Sequence, residues 1–523
     1  MLFQKNNLSR IIVLITVTFT VVMGILLFLS PPAVFPDAGW GFQAMRSMQM
    51  GGGFNQLITP NQDDITKNTT EFLTWWSPGQ YLIPLFFKWL FGINTGQAVA
   101  LTITLCQLSA IAGFYYFFKK IGFSPLIASL SVAFIISQQF YALNYIFYNG
   151  GEVLLFAFAG WFLYGCTALQ KPNWQLCLFV LFAGWIGFFC KSSILWIYAA
   201  GLLFLWIRLS LPQKNVRNYI KNGLWVAIPS IISLLSIYIF FLSKGENPAS
   251  APGHLKLAWQ TFSFPFASPL LAGFSVDDLS HGLLFPSGTP IFGNTLVIII
   301  IVTLSIASLL LIVAIVHFIS NNNYRLLILV FYAVSVAFFS YAYLRQMNIS
   351  YEGRHYRVVG IIIVPGIFYL LWRIKPGYRI CFGLIWVGIV CSSFYYLARG
   401  YAYNRDKGAH GNAGIAQLFI DQPALIYIME LDHRQHNALF AFTRNSLGLE
   451  IKQNRIITLE NDIDFDHVNF EDYEYDGHAG PLYILLPANY KGKKSDVILK
   501  FFPGYKNFTT TPLSPQYTLY SAN

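Results

Sequence analysis

The sequence is poor in charged residues and in cysteine, and each shortage excludes a class of protein. Only 11% of the 523 residues are charged, whereas a typical soluble domain carries about a quarter. The six cysteines all lie in apolar segments and lack the spacing of metal ligands. The sequence also contains no internal repeat and no low-complexity segment. A soluble domain and a secreted domain held together by disulfides are therefore excluded.

The chain is instead rich in apolar residues: 55% of its residues are hydrophobic and 17% are aromatic. Eleven apolar runs are long enough to cross a bilayer. They are residues 11–29, 97–118, 124–142, 153–169, 174–190, 192–208, 223–243, 291–318, 326–344, 357–372 and 380–397. The first run is too long for a signal peptide, and no small-residue cleavage site follows it. The sequence predicts an α-helical polytopic membrane protein with about 11 transmembrane helices.

The segment 79–92 decides the orientation of the chain. It is short and aromatic and contains Pro84 and Lys88, which is typical of a helix lying in the membrane interface. If it does not cross, the basic loops all fall on one face, which is cytoplasmic by the positive-inside rule. We therefore predict a multi-pass protein of the cell (inner) membrane, with its amino terminus inside and its carboxyl terminus outside.

The composition changes near residue 399, where the chain becomes polar. We predict a transmembrane domain over 1–398, with long outer loops at 30–96 and 244–290, the first containing interfacial helices. Residues 399–523 are predicted to form a small extracytoplasmic α/β domain, periplasmic or extracellular. Its predicted strands are 425–428, 456–459 and 482–486, and its predicted helix lies near 434–446.

Several carboxylates fall on the predicted outer face. Asp37 follows the first helix, and Glu152 opens a later one. Charged carboxylates at this depth are poorly solvated, so they usually have a function. The alternative for Asp37 is an N-cap of an interfacial helix. Three further acidic residues of the first outer loop are candidates for an acceptor-binding or supporting role, namely Asp63, Asp64 and Glu71.

Cations gather on the same predicted face. Lys191 lies in a very short outer turn, where the positive-inside rule gives no reason for a basic residue. Arg354, His355 and Arg357 lie in the outer loop before helix ten. A compact ammonium suits a phosphate, as does an arginine pair flanking a histidine, so Lys191, Arg354, His355 and Arg357 are candidates for binding a phosphate group. The alternative for each one alone is snorkelling or contact with lipid headgroups.

These residues resemble a known family. The first-loop Asp37, the interfacial segment 77–92, the helix-opening Glu152 and the turn Lys191-Ser192-Ser193 are similar to features of the C-type membrane glycosyltransferases, in particular bacterial protein O-mannosyltransferases and lipid A aminoarabinose transferases. The family usually has Pro-Pro before the interfacial segment and Lys-Gly-Pro at the lysine turn. Here the residues are Ser77-Pro78-Gly79 and Lys191-Ser192-Ser193, so the subfamily and the sugar stay open.

The resemblance implies an integral-membrane glycosyltransferase. It would move a sugar from a polyprenyl-phosphate donor to an acceptor on the outer face, with inversion at the anomeric carbon. Asp37 would be the catalytic base and Glu152 a second carboxylate, and Lys191, Arg354 and Arg357 would bind the donor phosphate. The acceptor could be a lipid, a glycan or a protein, and nucleic acid is not expected as a partner.

No cofactor is expected, and no metal site is indicated. The run Asp462-Ile463-Asp464-Phe465-Asp466 begins like a calcium loop. Its sixth position would be His467 rather than glycine and its twelfth Tyr473 rather than glutamate, so calcium is disfavoured.

Two other functions were weighed. A lipid-linked sugar flippase or transporter would need ionisable residues at mid-membrane depth, and the predicted helices hold few. An O-antigen polymerase or ligase would be expected to have a basic second outer loop. The loop 244–290 has only Lys244, His254, Lys256 and His281 as basic candidates. Both functions remain as alternatives to the glycosyltransferase.

Overall fold

In the computed structural model, the described residues are 2–213, 215–246, 253–286, 288–407, 420–444, 447–459 and 463–523. The helices are α1 (Leu2–Leu29), α2 (Pro36–Gln49), α3 (Gly79–Phe91), α4 (Thr95–Lys120), α5 (Pro125–Ile136), α6 (Gln139–Ala142), α7 (Gly151–Ala168), α8 (Trp174–Cys190), α9 (Ile194–Ser210), α10 (Val216–Phe240), α11 (Gln260–Gly273), α12 (Val276–Leu279), α13 (Asn294–Phe318), α14 (Asn322–Leu344), α15 (Arg357–Leu371), α16 (Pro376–Lys407), α17 (Gln422–Arg434) and α18 (Lys493–Lys500). The strands are β1 (Ala33–Val34), β2 (Gln56–Pro60), β3 (Asn68–Phe72), β4 (Phe147–Tyr148), β5 (Leu439–Phe442), β6 (Arg455–Thr458), β7 (Leu482–Pro487), β8 (Thr509–Pro512) and β9 (Tyr517–Ala522).

The prediction of a helical polytopic membrane protein is confirmed. Within the described residues, eight helices are long and apolar enough to cross a membrane, or nine if α5 and α6, bent by 64°, form one broken span. The helices α8 and α9 are apolar but shorter, at 17 residues each. Every predicted apolar run contains helix, and the run 124–142 contains two helices, α5 and α6, but the count of eleven spans is not confirmed. The orientation of the chain stays a prediction.

The chain divides into two compact units. The first unit comprises 1–23, 103–144 and 151–399, and the second comprises 24–102, 145–150 and 400–523. The second unit therefore joins the first outer loop to the polar tail. The predicted domain boundary at residue 398 stays a prediction.

The first unit contains a helix that the sequence analysis treated as loop. The segment 244–290 includes α11, whose buried side packs on α13, α14 and α15. Two prolines interrupt the hydrogen-bond ladder of α11. Two hydroxyl groups of α13 donate hydrogen bonds to carbonyl oxygens of α11. Ser305 Oγ donates to Ser263 O at 2.7 Å, and Ser308 Oγ donates to Ala267 O at 3.2 Å. Its proline content and polar flanks explain why it was read as loop.

The second unit contains a five-stranded sheet in the order β6-β5-β7-β9-β8. The strands β6, β5 and β7 are parallel, and β9 pairs antiparallel with β7 and β8. The helix α17 contributes to the core on one face of the sheet and α18 to the core on the other. The predicted small α/β fold of the tail is therefore present, and the predicted strands at 456–459 and 482–486 correspond to β6 and β7.

Two predictions within the tail were wrong. The predicted strand 425–428 lies inside α17, and the predicted helix near 434–446 contains the strand β5. In α17, Ala424, Leu425 and Ile428 are buried at helical spacing, and a proline occupies the first turn. All four residues of β5 are buried, two against each core, so the strand lacks the polar alternation that marks a half-buried strand.

Candidate active site

Five of the predicted site residues converge within the first unit. Glu152 is the second residue of α7, and Lys191 is the C-cap of α8. Arg354 and His355 lie in a 3₁₀ turn, and Arg357 opens α15 directly after it. The Glu152 carboxylate interacts electrostatically with Lys191, Arg354 and Arg357. We call these five residues the cation cluster.

Lys191 and Glu152 form an ion pair at the centre of the cation cluster. Lys191 Nζ donates to Glu152 Oε1, and the two side chains are only 16% and 13% exposed. The lysine backbone is extended, with φ −161° and ψ 130°, so α8 ends here. The other carboxylate oxygen, Glu152 Oε2, is buried and has no hydrogen-bond partner among the described residues. A buried carboxylate oxygen without a hydrogen bond lowers the stability of the fold unless a ligand or a water molecule donates a hydrogen bond to it.

The arginines are also backed by carboxylates. Arg357 Nη2 donates to Asp278 Oδ1 at 2.6 Å and to Oδ2 at 2.7 Å, and its guanidinium lies 4.4 Å from the ring centroid of Phe140. Arg354 Nε lies 2.5 Å from Glu352 Oε2, but this contact lacks hydrogen-bond geometry. Arg357 Nη1 is buried without a hydrogen-bond partner in the part of the chain that is described. The carboxylates thus hold the arginines while leaving guanidinium donors unused.

His355 contacts a serine hydroxyl and an aromatic ring. Its Nε2 lies 3.3 Å from Ser350 Oγ, and its ring lies 5.9 Å from that of Phe339. The ring is close enough to Lys191, Arg354 and Arg357 to interact with their charges.

The sequence analysis missed the element that supports the arginines, which is α12. Asp277 Oδ2 accepts a hydrogen bond from Gly353 N at 2.7 Å, and Oδ1 accepts one from Leu283 N at 3.0 Å. Burial raises the pKa of Asp277 to about 6. Ser275 (φ 51°) and His281 (φ 57°) flank this element in the left-handed conformation, which is uncommon for residues other than glycine. The feature of the sequence that could have indicated this element is the adjacent acidic pair Asp277-Asp278 between two apolar segments.

The acidic candidates of the first outer loop belong to the second unit. Asp37 lies in the first turn of α2, and the N-cap of that helix is Phe35, so the N-cap alternative for Asp37 is wrong. Asp63 and Asp64 lie between β2 and β3, and Glu71 lies on β3, where all but Asp64 are exposed. Asp64 pairs with Lys67 at 2.9 Å, and hydrogen bonds from Lys67 and Thr66 lower its pKa to about 2.

No group of three or more His, Cys, Asp or Glu residues that could hold a metal ion occurs among the residues that the structure describes. Asp462, the first residue of the disfavoured calcium run, lies outside the described residues. Asp464 and Asp466 of that run pair instead with His467 and Lys493, at 3.2 Å and 2.6 Å.

The Asp278–Arg357 pair yields a first testable prediction. Replacing Asp278 by alanine should lower the free energy of unfolding by about 3–5 kcal/mol, because it leaves a buried guanidinium unpaired. Thermal unfolding of the purified protein in detergent measures the loss. The double variant Asp278→Ala, Arg357→Met should recover part of it. Asp64→Ala, which leaves the solvent-exposed Lys67 unpaired, should unfold like the wild type. An unchanged unfolding temperature for Asp278→Ala alone would contradict the assigned pairing.

No family model matches the chain, and no curated protein sequence matches it. Solved structures are similar to it at low identity. ArnT from Cupriavidus metallidurans bound to undecaprenyl phosphate matches with a TM-score of 0.54 and 10% identity over 97% of each chain. The Archaeoglobus fulgidus oligosaccharyltransferase in complex with Zn and sulfate matches with a TM-score of 0.49 and 11% identity, over 97% of this chain and 72% of that one.

Arabinofuranosyltransferase AftD from Mycobacteria, as its R1389S mutant, matches with a TM-score of 0.46 and 12% identity, over 96% of this chain and 41% of that one. Of these three similarities, the first alone exceeds a TM-score of 0.5, and it extends over nearly the whole length of both chains. At 10% identity it establishes the fold and leaves the activity to be argued from the site. The chain therefore has the fold of ArnT from Cupriavidus metallidurans.

Proposed function

We propose that this protein is an integral-membrane glycosyltransferase that uses a sugar linked to a polyprenyl phosphate. The observation that carries the proposal is the cation cluster, in which Arg357 Nη1 is buried without a hydrogen-bond partner among the described residues. One solved structure with this fold is that of ArnT from Cupriavidus metallidurans bound to undecaprenyl phosphate. Buried cations with free hydrogen-bond donors suit a phosphate monoester, which presents several anionic acceptors.

The proposed chemistry follows from the movement of charge. An oxygen or nitrogen of the acceptor forms a bond to the anomeric carbon, and the bond from that carbon to the phosphate oxygen breaks. The electron pair of the broken bond stays on the phosphate, whose negative charge increases. Cations fixed in a low-dielectric site stabilise this developing charge, which is usually the largest catalytic term.

The proton of the acceptor goes to a carboxylate, and we assign this role to Asp37, in the first turn of α2. Because a phosphate leaves without protonation, no carboxylic acid is needed as a general acid, unlike in glycoside hydrolysis. We assign Glu152 to positioning, since its Oε1 already accepts a hydrogen bond from Lys191. A single displacement by the acceptor inverts the anomeric carbon.

The proposal is tested with the purified protein in lipid nanodiscs. Undecaprenyl phosphate should bind at least about tenfold more tightly than undecaprenol, because the alcohol lacks the anionic headgroup. A panel of sugars linked to polyprenyl monophosphate should include one from which the enzyme releases polyprenyl phosphate when membrane extract supplies the acceptor. Equal binding of phosphate and alcohol would contradict the proposal.

The same experiment separates the alternative functions. A flippase would move the lipid-linked sugar across the bilayer without breaking its sugar–phosphate bond. A polymerase or ligase would use glycans linked to a polyprenyl diphosphate and leave the monophosphate panel untouched. Either outcome would replace the proposed function.

A further inference from the structure

The last turn of α2 contains a buried cation, Arg46. Its side chain is 7% exposed, and its Nε and Nη2 donate to the backbone oxygens of Ile451 and Asn454 in the polar tail. Burial lowers the pKa of Arg46 to about 10, and Asp432 favours its charged form, so the guanidinium remains ionised at neutral pH. A buried charged donor is costly to leave without its acceptors.

The tail segment that receives Arg46 is itself fixed. The Asp432 carboxylate accepts hydrogen bonds from the backbone nitrogens of Lys452 at 2.7 Å, Gln453 at 3.2 Å and Asn454 at 3.1 Å. Asn454 Nδ2 also donates to Asp432 Oδ1 at 2.9 Å. One buried carboxylate therefore sets the position of the carbonyls at Ile451 and Asn454, and they present a preformed acceptor site to Arg46.

Other contacts join the first outer loop to the same sheet. Gln43 Nε2, on α2, donates to Thr458 Oγ1 at the end of β6 at 2.9 Å. Ile65, between β2 and β3, is fully buried in the hydrophobic core of the tail. Its backbone oxygen accepts from Arg455 Nη1 at 2.7 Å. The first outer loop and the tail thus fold together, and α2 is attached to the sheet along its carboxyl-terminal half.

The other end of α2 is held within the same unit. The parallel pair β1–β4 ends at Val34, next to the start of the helix. On α2, the ring of Phe42 lies 5.8 Å from the ring of Tyr148 of β4, in an edge-on arrangement. A Cβ at Gly41 would lie 2.1 Å from the ring of Tyr81, so α2 and α3 approach too closely for any larger residue. Without the contacts of Arg46, the helix could still tilt about these contacts at Gly41 and Phe42.

We propose that the polar tail is a positioning element for the helix that carries Asp37, and that Arg46 is the positioning residue through which it acts. The proposal rests on the proposed function, in which Asp37 is the base. Nine residues separate Asp37 from Arg46, about 13.5 Å along a helix. A helix of this length moves as a rod, so a displacement at Arg46 is transmitted to Asp37. A shift of about 1 Å at a reacting group can cost about 10²-fold in rate.

The test compares Arg46→Met with Arg455→Met in the full-length protein. Methionine removes the donors of Arg46 while keeping much of its apolar bulk. Arg46→Met should lower kcat about 10- to 100-fold and change the Kd for undecaprenyl phosphate less than twofold, because the cation cluster lies in the first unit. Arg455→Met removes the hydrogen bond to the backbone oxygen of Ile65, between β2 and β3, which does not involve α2. This variant should retain kcat within about threefold.

A second variant keeps the test valid if Arg46→Met folds poorly. Asp432→Asn leaves α2 untouched but weakens the site that receives Arg46, and it should lower kcat in the same direction by a smaller factor with the donor Kd unchanged. Wild-type kcat in both Arg46→Met and Asp432→Asn would overturn the positioning role. An equal loss of donor affinity and kcat would overturn it as well, since that pattern indicates general misfolding. Failure of the wild type to bind undecaprenyl phosphate would instead overturn the proposed function.

Discussion

Replacing Asp37 by asparagine should reduce sugar transfer by roughly 10²-fold or more, because asparagine cannot accept the acceptor proton. The substitution keeps the size of the side chain and its place in the first turn of α2, a helix whose N-cap is Phe35. Binding of the donor lipid should be unchanged, since the cation cluster belongs to the first unit. Turnover and donor affinity, measured on the same preparation, check the two halves of the prediction.

The matched controls are the other acidic residues of the first outer loop. Asp63→Asn, Asp64→Asn and Glu71→Gln each remove one negative charge from the region between β2 and β3 or from β3 itself. Each should retain more activity than Asp37→Asn, and Asp64→Asn should cost only its ion pair with exposed Lys67. Near-normal turnover of Asp37→Asn would remove the catalytic base from the proposed mechanism.

Neutralising Lys191 should weaken donor binding and slow transfer together. The donor phosphate is anionic in the ground state and gains charge as the sugar leaves, so one cation acts on both. A charge-assisted hydrogen bond contributes about 1.5–3 kcal/mol, which is about 10- to 100-fold in donor affinity. Titration of Lys191→Gln with undecaprenyl phosphate, together with turnover at saturating donor, measures the two effects.

The Lys191 result needs a control for its ion pair, because the single variant leaves Glu152 buried without its cation. The double variant Lys191→Gln, Glu152→Gln removes both charges and should recover stability but not donor affinity. Lys88→Gln is a matched control outside the cation cluster. Lys88 Nζ donates hydrogen bonds to Gln49 Oε1 at 3.3 Å and to Thr95 Oγ1 at 2.9 Å. This variant should bind the donor like the wild type. Recovery of donor affinity in the double variant would show that the buried Glu152 charge caused the loss.

The sequence predicted the membrane part of the fold better than the tail. A bilayer demands about 20 consecutive apolar residues, so the runs were visible without knowledge of their neighbours. No such requirement for a long apolar run applies to the tail. Residues 425–428 are β-branched or bulky and look like a strand, yet they form part of α17 because the helical face of Leu425 and Ile428 packs on the sheet. Tertiary packing outweighed local propensity here.

The site was predicted in part. Glu152, Lys191, Arg354 and Arg357 were recognisable because an ionisable residue in an apolar sequence is rare. Their partners were not recognisable, since Asp278 and Arg357 are separated by 79 residues. The burial of Arg46 was not recognisable for the same reason: its acceptors, the carbonyls of Ile451 and Asn454, lie more than 400 residues further along the chain.

The sequence by itself determined that the chain spans a membrane many times, where its long apolar helices lie, and which residues carry charge at the edge of an apolar segment. These properties depend on composition over short windows, because a bilayer requires an apolar run long enough to cross it. Only the tertiary structure decided that Lys191 pairs with Glu152, that α12 supports the arginines, and that the first outer loop folds with the tail. Those outcomes depend on contacts between distant segments, because burial decides which charges need a partner and the fold decides which partner each one meets.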